Sequence, residues 1–116
     1  MKLNILFVFL LSIGLYAQEN TPEKQLKKKG SNLEYVEYHS NGQIAQKGTI
    51  KANKLDGIWV SYSKAGEKLS QGHYTNGKKT GKWFFWNENG LIEADFNNNK
   101  LITAVSWDNR QTLAKN

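Results

Sequence analysis

The residues of this 116-residue chain that could carry out acid–base, nucleophilic or metal chemistry are not brought together by their spacing. His39 and His73 are the only imidazoles, and there is no cysteine. A zinc site would therefore need both histidines plus carboxylates, and no spacing places them together. His73 occupies the slot held by Thr49 in the preceding stretch, which makes it an ordinary strand residue. His39 lies beside the Ser40-Asn41-Gly42 turn, where a solvated turn residue is the default. Glu34 and Glu37 have opposite strand parity, and Glu93 and Asp95 share a face without a visible partner, so neither pair is arranged as a general acid and base. Ser61, Ser63 and Ser70 lack an adjacent His–Asp arrangement, and no nucleophile elbow is present. Nucleotide transfer would call for a phosphate-binding turn opening a helix, whereas these glycines are spaced as hairpin turns. The residues thus describe a chain without catalytic groups, metal or cofactor.

What remains is an aromatic pattern, and it organises the chain. Displacing the sequence by 24 residues sets Trp59 on Trp83, Tyr62 on Trp86, Gly57 on Gly81 and Gly66 on Gly90. The same step reaches back to Tyr35, Tyr38, Gly42 and Gly48, links Gly48 to Gly72, and reaches forward to Trp107. Because successive strand residues point to opposite sides, Tyr35, Trp59, Trp83 and Trp107 are expected on one face. Val36, Val60 and Phe84, with Tyr38, Tyr62 and Trp86, are expected on the other. A glycine inside a strand marks the close approach of another group, so an aromatic ring is expected over Gly48 and Gly72.

These residues need strands to position them. Seven aromatic and β-branched runs can be marked: 33–39, 43–50, 57–63, 67–75, 81–87, 91–97 and 101–107. Turn signals separate them at Asn41-Gly42, Asn53-Lys54, Ala65-Gly66, Asn76-Gly77, Asn89-Gly90 and Asn98-Asn99. Connections this short join antiparallel neighbours. The expected fold is all-β: a single elongated, twisted antiparallel meander of successive β-hairpins, about seven strands, built from 24-residue repeats over residues 33–109. The third unit departs from the period, since Ala94-Asp-Phe96 matches Gly72-His-Tyr74 at a step of 22.

The flanks read differently. Residues 1–17 carry a positive start at Lys2, an apolar run from Ile5 to Leu15 and a small residue at Ala17, the order of a secretory signal peptide. Its apolar run falls short of the roughly 20 residues that span a bilayer. Export to the periplasm or the exterior is expected after its removal. Residues 18–32 offer almost nothing to bury and are expected to form a flexible polar leader, and residues 110–116 a disordered tail. The net charge of +6 is concentrated at Lys24, Lys27, Lys28 and Lys29. That is a solvated tether, with at most peripheral contact to an anionic membrane, rather than a nucleic-acid stripe.

The run Tyr62…Gly66…Gly72-His-Tyr74-Thr-Asn-Gly77-Lys-Lys-Thr-Gly81-Lys-Trp83…Trp86…Gly90 resembles the variant MORN repeats of bacterial proteins. The resemblance covers roughly Tyr35 to Trp107. It implies successive hairpins in one twisted sheet and a role in contacts with proteins or lipid surfaces. It also brings two alternatives from similar chains, an antitoxin of a toxin–antitoxin system and a nucleotidyltransferase. The residues favour an exported, non-catalytic interaction module of the cell envelope. Tyr35, Trp59, Trp83 and Trp107 form its candidate track for another protein or an envelope polymer. Two fates are open to this track: an uncovered interaction surface, or rings packed internally as staples.

Overall fold

The computed structural model describes residues 23–108. The signal peptide read at 1–17 and the tail read at 110–116 lie outside the described residues. Eight strands follow one another: β1 (Glu23–Lys29), β2 (Asn32–Tyr38), β3 (Ile44–Lys51), β4 (Lys54–Tyr62), β5 (Lys68–Thr75), β6 (Lys78–Asn87), β7 (Gly90–Asn97) and β8 (Lys100–Asp108). They lie side by side in sequence order, each antiparallel to the next, as a single open sheet. The all-β meander is as expected.

One strand more than expected is present, and it corrects the reading of a flexible leader over 18–32 for residues 23–29, residues 18–22 lying outside the described residues. β1 lies within that segment. Although it has little to bury, the open edge of β2 supplies backbone partners along its length. The register also sets Lys27 opposite Glu34 and Lys24 opposite Glu37. Opposite charges across neighbouring strands are favourable, and Leu26 faces Tyr35 between them.

Along one side of the sheet, three two-residue turns hold paired positive φ angles. These are Ala52 (50°) and Asn53 (65°), Asn76 (51°) and Gly77 (80°), and Asn98 (50°) and Asn99 (70°). Such pairs match the twist of a hairpin. The first turn is therefore Ala52-Asn53, not Asn53-Lys54. β4 and β6 begin three residues before Gly57 and Gly81, which lie inside the strands instead of opening them. The turns are tied to the neighbouring hairpin: the Gly77 N–H donates to the Leu55 carbonyl (2.9 Å) and the Asn99 N–H to that of Lys79 (3.0 Å). Along the other side, the loops His39–Gln43 and Ser63–Glu67 close in the same way, with Gly42 and Gly66 at φ 86° and 87°. There Asn41 Nδ2 donates to the Lys64 carbonyl at 2.8 Å, joining one loop to the next.

Gly57 and Gly81 serve a repeated irregularity. In β3–β4, Lys47 pairs with Val60 but Thr49 with Asp56, so Gly57, Ile58 and Trp59 oppose Gly48 alone. In β5–β6, Gln71 pairs with Phe84 and His73 with Thr80, so Gly81, Lys82 and Trp83 oppose Gly72 alone. The bulging strand turns at its positive-φ glycine (Gly57, 74°; Gly81, 68°) and delivers the tryptophan two residues later.

The third unit loses residues at identifiable places. Ser63–Glu67 is a three-residue loop followed by a register shift at Ser61/Tyr62, whereas Asn87–Gly90 encloses two residues and β6–β7 runs with no shift. These two changes account for the step of 22. Trp83 consequently faces Ala94, as Trp59 faces Gly72, and Ala94 in turn faces Ala104.

Candidate functional site

The first face of the sheet carries an unbroken aromatic file. Ring centroids lie 5.4 Å apart for Tyr35–Trp59, 6.2 Å for Trp59–Tyr74 and 5.0 Å for Tyr74–Trp83. Trp83 also meets Phe85 at 6.0 Å and Phe96 at 6.2 Å. Most of these contacts are edge-on or tilted, the arrangements that ring quadrupoles favour. Trp59 and Trp83 are 6% and 4% exposed, and Tyr35 is half-buried.

Each indole is held three ways. Its ring covers the glycine across the bulge, Trp59 over Gly48 and Trp83 over Gly72, where a Cβ would collide with the ring atoms. Its Nε1–H donates to the next carbonyl, Trp59 to Thr49 (3.0 Å) and Trp83 to His73 (3.2 Å). Tyrosine and phenylalanine edges close the gaps. The expected ring over each bare backbone is present. Tyr74 was not among the expected track residues, although its parity with Gly72 sets it on this face. Burial beside the two indoles raises its phenol above the ordinary value of 10.0.

Trp107 does not join this file. It pairs with Leu91, which pairs with Trp86, so it lies on the second face and is 51% exposed. The slot in β8 that corresponds to Trp83 is Ala104, three residues earlier. Of the two fates open to the track, Trp59 and Trp83 take the second, as interior staples, and Trp107 lies on the other face.

The second face holds a register row of Val36, Lys47, Val60, Gln71, Phe84, Glu93 and Val105. Val60 is buried, and Phe84 stacks on Trp86 at 5.9 Å. Tyr38 and Tyr62 are half-buried here, with Lys47 Nζ 5.8 Å from the Tyr62 ring centroid. Ile58, lifted by the bulge in β4, is 61% exposed. Apolar side chains thus alternate with Lys47, Gln71 and Glu93 on a face that no second layer among the described residues covers.

The polar candidates are engaged in the framework. His39 Nε2 donates to the Tyr62 carbonyl at 2.8 Å, and His73 Nδ1 lies 3.4 Å from Thr80 Oγ1. Ser61 and Ser70 share a hydrogen bond across β4–β5 at 2.5 Å. Glu37 accepts from Gln46 (2.7 Å), Glu93 meets Lys82 (3.6 Å) and Asp95 accepts from Thr103 (3.1 Å). Among the described residues no three His, Asp or Glu side chains converge as a metal site would need. The sequence matches no protein-family model, and no curated protein matches it significantly.

Proposed function

We propose that this chain is an exported, non-catalytic repeat protein of the variant MORN type that binds a partner protein in the cell envelope through the second face of its sheet. The observation that carries the reading is Ile58. This aliphatic side chain is 61% exposed beside His73, on a face that also carries half-buried Phe84 and Trp86 and the 51% exposed Trp107. The register row Trp86, Leu91 and Trp107, with Phe84 stacked on Trp86, is apolar surface left open, and such surface marks contact sites. The interspersed Lys47, Gln71 and Glu93 give such a contact its polar register. The first face, by contrast, has its indoles buried and hydrogen-bonded.

Export follows from residues 1–17, and mass spectrometry of the mature protein is expected to find Gln18 at its start. An N-terminus still at Met1 would remove the envelope from the reading. Binding is tested by capture from an envelope fraction with the intact chain and with an Ile58→Asp/Trp86→Ala variant as baits. A partner retained by the first and lost by the second supports the surface. Identical captured sets refute it.

A further inference from the structure

We propose that one side of the sheet carries a basic track, formed by Lys29, Lys51, Lys54, Lys78 and Lys100, that binds a linear acidic polysaccharide. The residue pairs that close the four hairpins on this side are Lys29–Asn32, Lys51–Lys54, Thr75–Lys78 and Asn97–Lys100. Every pair thus holds a lysine, and all five lysines are exposed. Side-chain alternation from the register sets them together on the second face. Hairpins recur every two strands, about 10 Å, which is also about one screening length at 0.1 M salt, so their fields merge into one strip. The strand ends and turns of this side hold no acidic residue, whereas those of the other side hold Glu23, Glu67, Glu88 and Asp108 beside Lys64 and Lys68.

The chain itself does not neutralise this track. Lys51 stands directly opposite Lys54, and like charges so placed destabilise a strand pair. The nearest carboxylates along these strands, Glu34, Asp56 and Asp95, lie two residues further in from the closing pairs. Among the described residues none of the five lysines is in an ion pair. A like-charge pair left open to solvent is the arrangement that an anionic ligand completes. The direction of the track gives the class of ligand. It crosses the strand ends, whereas a peptide adds to a sheet along an edge strand through backbone bonds. A ligand lying across the strands meets side chains only: ammonium groups for its carboxylates, and the exposed amides of Asn53, Asn76 and Asn98 in the turns for its hydroxyls. Those turns present no large apolar side chain of the kind that inserts into a bilayer interface.

The test is titration calorimetry of the intact chain with polygalacturonate, and with its methyl ester as the uncharged control. Binding to the acid polymer that weakens as salt rises, and none to the ester, is expected. Lys51→Gln/Lys54→Gln is expected to weaken binding roughly tenfold, as the loss of two surface ion pairs near the upper end of their usual strength, without lowering the urea midpoint. Lys64→Gln/Lys68→Gln removes the same charge from the other side of the sheet and is expected to leave the affinity unchanged. No binding to polygalacturonate, equal binding of its ester, or equal losses in the two double variants would each overturn the proposal. Capture by anionic phospholipid vesicles without affinity for the polymer would assign the track to a membrane and overturn it too.

Discussion

The indole of Trp83 covers Gly72 across the β5–β6 bulge, and its Nε1–H reaches the carbonyl of the next residue, His73, at 3.2 Å. The same relationship joins Trp59 to Gly48 and Thr49. In an open sheet with no second layer among the described residues, these two staples supply the closest equivalent of a core, and its strength can be measured.

Replacing Gly72 by alanine puts a methyl group where the Trp83 ring lies. Overpacking of this kind costs about 1–3 kcal/mol. Since the collision is with one side chain, the cost should largely vanish in a Trp83→Ala background. Urea denaturation of the two single variants and the double variant gives the coupling, and strict additivity would show that the ring does not depend on the bare backbone.

The two tryptophans read as equivalent in the sequence should separate by stability. Trp83→Ala removes a buried, hydrogen-bonded indole and is expected to cost about 3–5 kcal/mol. Trp107→Ala removes an exposed one and is expected to cost no more than about 0.5–1 kcal/mol. Equal losses in thermal or urea unfolding would contradict the placement of Trp107 on the second face.

That contrast marks the limit of what was legible in the sequence. Parity and a constant step put Tyr35, Trp59 and Trp83 on one face and a ring over each strand glycine, because two consecutive units keep the same loop and the same bulges. The step continues to Trp107 in residue count but not in register. The β6–β7 hairpin drops one loop residue and one bulge, and the β7–β8 pair has a one-residue shift where β5–β6 has two. Three missing residues move the staple slot to Ala104, and an odd displacement reverses the face. Ala94 carries the same record, since it faces Ala104 instead of lying beneath an indole and so tolerates a Cβ. β1 was illegible for another reason. Its partners are the backbone groups on the open edge of β2, with Glu34 and Glu37 standing opposite Lys27 and Lys24, which no composition argument about Glu23–Lys29 alone contains.

Tyr74 links the file to pH. Burial between Trp59 and Trp83 raises its phenol above 10.0 in the folded chain, whereas the unfolded chain titrates near that value. Above pH 10 the unfolded chain gives up a proton that the folded chain retains. The contribution of Tyr74 is therefore intact below pH 10 and lost as pH rises through the folded value. Urea midpoints measured on either side of pH 10 should fall more steeply for the native chain than for Tyr74→Phe. Parallel slopes would mean that this phenol is not desolvated.

Ala52 sits at φ 50° in the turn that joins β3 to β4, while the equivalent positions in the next two hairpins are Asn76 (51°) and Asn98 (50°). The left-handed region costs an ordinary L-residue roughly 1–2 kcal/mol, and asparagine tolerates it better because its side chain bonds locally. Ala52 is exposed, so an amide there meets no packing penalty. Ala52→Asn gives this turn the residue its two successors already have, and is expected to raise stability by about 0.5–1 kcal/mol. The measurement is a shift of the urea midpoint at unchanged slope. A loss of stability would mean that the turn relaxes away from the paired positive-φ geometry in solution, and with it the register that sets Leu55 opposite Ile50 and carries Trp59 to Gly48.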